Sequence, residues 1–105
     1  MKGLLNFELS SIEKSYQVYE KIKEGNFIDI LEVIDYSKGY DNVLPNETLK
    51  LVFEDGTLLV RPSGTEPKMK VYVMVRSEAR EIAQEKLNTL SEKMIKIVKK
   101  LTNEN

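Results

Sequence analysis

Between Lys68 and Arg76 the chain alternates strictly: Met69, Val71, Val73 and Val75 fall on one side of an extended backbone, and Lys68, Lys70, Tyr72 and Met74 on the other. A period of two predicts a strand with one face in a core. Thr48 to Phe53 and Leu58 to Arg61 alternate in the same way around EDGT, whose Asp55 and Gly56 suit the positive φ of a tight turn. Together they predict a β-hairpin. FIDILEVIDY, residues 27–36, is rich in β-branched side chains and predicts one more strand. Ile28, Ile30 and Ile34 lie on one of its faces and Leu31 and Val33 on the other, so cover on both sides is expected.

Two stretches carry helical spacing instead. Ile12, Tyr16, Tyr19 and Ile22 recur through SSIEKSYQVYEKIKEG, where Ser10 and Glu13 match a capping box and Gly25 marks the end. From Ser77 onward, Ala79, Ile82, Ala83, Leu87, Leu90, Met94, Ile97, Val98 and Leu101 form an apolar stripe. Ser77 is placed to cap this helix. Glu78 and Glu81 sit at its positive end, Lys96, Lys99 and Lys100 near its negative end, and TNEN is expected to fray. SKGYDNVLPNE, residues 37–47, has no apolar period and reads as a connecting loop. The predicted order is helix, four strands, helix: an α+β fold with a largely antiparallel four-stranded sheet and both helices on one face. The other face is left for loops, solvent or a neighbour.

Composition narrows the chemistry. A chain of 105 residues fits one domain. Its 17 acidic and 16 basic residues nearly cancel, so no overall field draws it to nucleic acid or an anionic membrane. Any anion must be caught locally. With no Cys and no His, disulfides, thiolate chemistry, the usual zinc ligands and the commonest neutral-pH base are all excluded. No apolar run approaches the ~20 residues of a membrane span. The opening MKGLLNFELS is too short and too soon acidic for a signal peptide. These features predict a soluble chain and agree with a cytoplasmic setting.

The one candidate for local anion capture is RPSGTEPK, residues 61–68, at a sheet rim between two predicted strands. Pro62 fixes its own φ and Pro67 biases Glu66 toward extension, which leaves Ser63, Gly64 and Thr65 as the bend. Gly64 lets a ligand approach the backbone, successive amides in such a turn converge on anions, and the two hydroxyls add donors. Arg61 contributes a planar fork suited to two phosphate oxygens, and Lys70 on the next strand a point charge. The same residues also fit a plain turn, with Arg61 paired to Glu66 and the hydroxyls bonded to nearby backbone.

RPSGTEPK, the following MKVYV, and in order before them IDY at Ile34–Tyr36, Gly39, DNVLP at Asp41–Pro45 and LKLVFEDGT at Leu49–Thr57 resemble the carboxy-terminal domain of the α-D-phosphohexomutases. The resemblance runs from about residue 10 over nearly the whole chain, and its details lean to the phosphoglucomutase and phosphomannomutase branch. It implies that Arg61, Ser63, Gly64 and Thr65 grip the phosphate of the sugar that is not being transferred, with Lys70 assisting. Glu66 is expected to shape the loop or form a salt bridge, and DNVLP to pack. Family members resemble one another in having four domains. Their phosphoserine, their magnesium-holding Asp-rich loop and their sugar-reading loop lie in the other three.

None of those catalytic features appears in these residues, and Ser63 has no histidine to activate it. The resemblance therefore implies a non-catalytic unit, residues 1–105 as one domain, whose parent interconverts hexose 1- and 6-phosphates. The expected partners are a hexose phosphate and the three other domains, with no nucleic acid and no membrane. Magnesium belongs to the parent, and no cofactor is expected on this chain. Two other classes remain: a stand-alone anion-binding or protein-interaction module, and a nucleic-acid binder using Lys68, Lys70, Tyr72 and Arg76, which near-neutral charge and a single aromatic disfavour.

Overall fold

The computed structural model describes residues 1–24, 30–37, 39, 48–54 and 56–103. Its elements are β1 (Lys2–Glu8), α1 (Ile12–Lys23), β2 (Glu32–Asp35), β3 (Leu49–Phe53), β4 (Gly56–Pro62), β5 (Lys68–Val75) and α2 (Arg80–Asn103). The strands form one antiparallel sheet in the order β1-β5-β4-β3-β2. The α+β class and the antiparallel sheet match expectation, but the described residues hold five strands, because β1 precedes the first helix. Strands β2 to β5 form a meander, and β1 closes its far edge by pairing with β5.

Alternation decides the faces. Met69, Val71, Val73 and Val75 of β5 are buried, as are Leu58 and Val60 of β4 and Leu49, Leu51 and Phe53 of β3. Both helices lie against this face: Val18, Tyr19 and Ile22 come down from α1, and Ala83, Leu90, Met94 and Val98 from α2. In α1 the buried positions are Ser15, Val18, Tyr19 and Ile22. Ile12 is exposed and Tyr16 half-buried, so the buried stripe is turned one residue from the predicted one. The sheet's other face carries Leu4, Lys70, Tyr72, Leu59 and Arg61 and has no element packed over it among the described residues.

Local details differ from the sequence reading in instructive ways. Ser11, not Ser10, caps α1: its backbone is extended and its hydroxyl accepts from the Lys14 N–H at 3.0 Å. Helix α2 starts at Arg80, leaving Ser77 and Glu78 outside, with the Ala79 carbonyl accepting the Ala83 N–H. Of TNEN, Thr102 and Asn103 continue this helix instead of fraying, and Glu104 and Asn105 lie outside the described residues. In the described part of the strand predicted over 27–36, β2 covers only Glu32–Asp35, with Leu31 68% exposed and Ile30 packed on the core; residues 27–29 lie outside the described residues. Within β2, Val33 and Asp35 share the core face and Glu32 and Ile34 the open one. Gly25, Ile28, DNVLP and Asp55 lie outside the described residues. Gly56 has no positive φ; a side chain there would run into the Met74 carbonyl oxygen, so the close approach of β5 is what selects glycine. Gly39 does adopt positive φ, at 82°, and its N–H closes a turn onto the Tyr36 carbonyl.

At the sheet's β2 edge, Lys23 at the end of α1 meets Asp35 at 2.8 Å, and the Ser37 N–H donates to the same carboxylate. The Lys23 hydrogen bond, followed by the Ser37 bonds, lowers the Asp35 carboxyl to about 2 against the opposing effect of burial. Reciprocally, Asp35 raises the Lys23 ammonium above its ordinary value.

Candidate functional site

RPSGTEPK connects the end of β4 to the start of β5, as predicted. The Ser63 N–H donates to the Lys68 carbonyl at 2.9 Å, closing the loop at its base, and the Lys68 N–H donates to the Glu66 carbonyl at 2.8 Å. Inside the loop, the Ser63 hydroxyl oxygen accepts from the Thr65 and Glu66 amides at 3.3 and 3.2 Å. That is a serine-centred turn, which stiffens the bend without any ligand. The Ser63 and Thr65 hydroxyls are 3.4 Å apart. One of their two protons serves that contact, so the pair retains one for an outside acceptor.

Of the three amides expected to converge, Ser63 and Thr65 are engaged internally. The Gly64 N–H has no partner among the described residues. Gly64 is exposed, lacks the positive φ that favours glycine, and has room for a side chain, the nearest atom to an added Cβ being the Tyr16 hydroxyl at 3.7 Å. No demand of the described fold accounts for glycine at this position.

Arg61 and Lys70 are partners in register on neighbouring strands and stand on the open face beside the loop. Side chains opposite one another in an antiparallel pair have Cβ atoms about 5 Å apart, so two like charges there repel. Neither side chain meets a carboxylate at ion-pair distance among the described residues. Glu66 pairs with Lys68 at 3.2 Å instead, which removes the Arg61–Glu66 pairing that a plain turn would offer. The five predicted site residues, Arg61, Ser63, Gly64, Thr65 and Lys70, are thus gathered at one rim of the sheet.

One residue beside the loop carried no signal in the sequence. Ser15 of α1 is fully buried, and its hydroxyl donates to the Lys68 carbonyl at 3.3 Å, the same oxygen that receives the Ser63 N–H. Among the described residues no three His, Cys, Asp or Glu side chains are grouped to hold a metal ion, and no helix is long and apolar enough to cross a membrane.

The family of phosphoglucomutase/phosphomannomutase C-terminal domains matches residues 4–91. Phosphoglucomutases of two Staphylococcus epidermidis strains are 28% identical to this chain over 72 residues, covering 58% of the chain and 13% of each relative. The chain thus spans about an eighth of the length of the curated relatives it matches. The loop lies within the matched residues, in the strand-loop-strand setting described above, and on that match the chain belongs to the family of phosphoglucomutase/phosphomannomutase C-terminal domains.

Proposed function

We propose that this chain is the substrate-phosphate-binding unit of a phosphohexomutase that interconverts hexose 1- and 6-phosphates. The observation that carries the reading is the opposition of Arg61 and Lys70, in register, without a carboxylate, at the rim of an exposed glycine loop. A bound dianion would turn their mutual repulsion into shared attraction. Arg61 would take two phosphate oxygens with its planar fork, while the Gly64 N–H and the remaining hydroxyl proton of Ser63 and Thr65 reach the third. Lys70 would complete the neutralisation. None of these groups reads the sugar ring.

This chain's contribution to the parent's chemistry is positioning. Gripping the far phosphate uses binding away from the reacting centre to orient the hydroxyl that receives the phosphoryl group. The grip also serves either end of the substrate, because a phosphate on carbon 1 and one on carbon 6 present the same three oxygens. Magnesium and the phosphoserine would be supplied by the parent's other domains; magnesium would neutralise charge at the transferring phosphoryl group. The exposed loop forms only one wall of a site, so affinity for a sugar phosphate should be weak in this chain alone.

Glucose 1-phosphate and glucose 6-phosphate should compete for one site here, with dissociation constants within about threefold of each other, since only the phosphate is read. Competition followed through the Gly64 amide tests this. Additive, non-competing shifts at separate amides would exclude a single grip that serves both ends.

A further inference from the structure

The loop is built against the first helix as well as the sheet. The Lys68 carbonyl oxygen receives two donors, the Ser63 N–H at 2.9 Å from within the loop and the Ser15 hydroxyl at 3.3 Å from α1. One residue earlier, the Pro67 carbonyl accepts the Leu9 N–H at 2.7 Å from the segment leading into α1. Both carbonyls on the exit side of the loop are therefore anchored to the corner between β1 and α1. Ser15 stands out there: it is fully buried, at 0% exposure, in a row otherwise filled by the larger Val18, Tyr19 and Ile22. A hydroxyl at an apolar position is costly unless bonded, and its partner is the loop's own base.

We infer that Ser15 is a positioning residue for the phosphate loop, holding the Lys68 carbonyl so that the Ser63 amide closes the bend in its binding shape. The inference rests on the phosphate-grip reading for its purpose, but its structural half stands apart from any ligand. With the carbonyl fixed, the Ser63–Lys68 bond keeps the loop's mouth at one width, and the Ser63 hydroxyl stays where the Thr65 and Glu66 amides reach it. The loop then loses less freedom on binding an anion. Without the Ser15 hydroxyl, the carbonyl keeps only one donor and the exit of the loop can tilt about the Pro67 anchor.

The test uses the whole chain with Ser15→Ala, which favours helix and removes only the hydroxyl, and Ser15→Thr, which restores it. Amide hydrogen exchange and a titration with inorganic phosphate are read together. In Ser15→Ala the protection of the Ser63 amide should fall about fivefold, the worth of one modest hydrogen bond, while Val71 and Val73 in the core stay as they were. The phosphate concentration that half-shifts the Gly64 amide should rise by about the same factor, and Ser15→Thr should recover both. Unchanged Ser63 protection in Ser15→Ala overturns the inference. So does an equal loss of protection in the core, which would make Ser15 a packing residue, or weakened Ser63 protection with an unaltered phosphate response. Should the unsubstituted chain show no phosphate-induced shift, the phosphate-grip reading is what fails, and the exchange data still decide whether Ser15 holds the loop.

Discussion

Two glycines show how differently one residue type can be selected. At Gly56 an added Cβ would strike the Met74 carbonyl oxygen and crowd Val75 and Leu90, so the backbone approach of β4 to β5 requires glycine for packing. At Gly64 the backbone has no positive φ, and an added Cβ would only touch the Tyr16 hydroxyl in ordinary contact. Gly56→Ala should therefore cost about 1–3 kcal/mol, measured by urea unfolding, as an overpacked site does. Gly64→Ala should leave stability unchanged or raise it by about 0.4–1 kcal/mol, because only the unfolded chain loses freedom. Yet the same substitution should weaken the response to phosphate. A Gly64→Ala protein that is strongly destabilised would mean the glycine serves the fold, not a ligand.

At the scale of elements, the Lys23–Asp35 pair ties the end of α1 to the edge strand β2. The Asp35 carboxyl is held at about 2, below its ordinary 3.8, so the unfolded chain takes up a proton first as the solution is acidified. The contribution of the pair is thus fully present above pH 3.8 and is lost as pH falls through about 2. Asp35→Asn should remove about 1 kcal/mol at neutral pH, a value reduced by the pair's partial exposure, and should flatten that acid limb of the stability profile. An equally steep loss between pH 3.8 and 2 in the Asn variant would assign it to other carboxylates.

Legibility in the sequence follows the range over which each element is specified. The β3–β4 hairpin, β5 and the body of α2 are readable because their cues, alternation and a long apolar stripe, are local; Gly56 opens β4 and is selected by packing, not by the positive φ that Asp-Gly suggests. Strand β1 is not readable, since its inward positions Gly3, Leu5 and Phe7 are interrupted by the outward Leu4, and its pairing partner lies some 70 residues away in register, Lys2 against Met74. In α1 the apolar period pointed to Ile12 and Tyr16, because a buried serine is invisible to hydrophobicity. Of the site, the loop and its two cations could be named from RPSGTEPK and the strand after it. Their register opposition and the Ser15 bond belong to tertiary structure, which no spacing in the sequence encodes.

For the molecule as a whole, one face of the sheet is sealed by two helices and the other bears the cations, with exposed Leu4 and Tyr72 beside them. The helix side anchors the loop through Ser15, and Arg61 and Lys70 stand on the open side. The chain spans about an eighth of the curated relatives it matches, and the proposed function makes it one wall of a larger cleft. The proposed function gives this chain a preshaped phosphate grip, one whose geometry exists before the ligand arrives. That claim is tested most directly by the Gly64 amide resonance during titration with glucose 6-phosphate, in the unsubstituted chain and in Arg61→Ala. A saturable shift with a dissociation constant on the order of millimolar, reduced at least tenfold in affinity by Arg61→Ala while the core resonances stay in place, is the predicted result. Saturable binding of equal strength in both proteins, or a shift centred on residues remote from Ser63–Thr65, would contradict it.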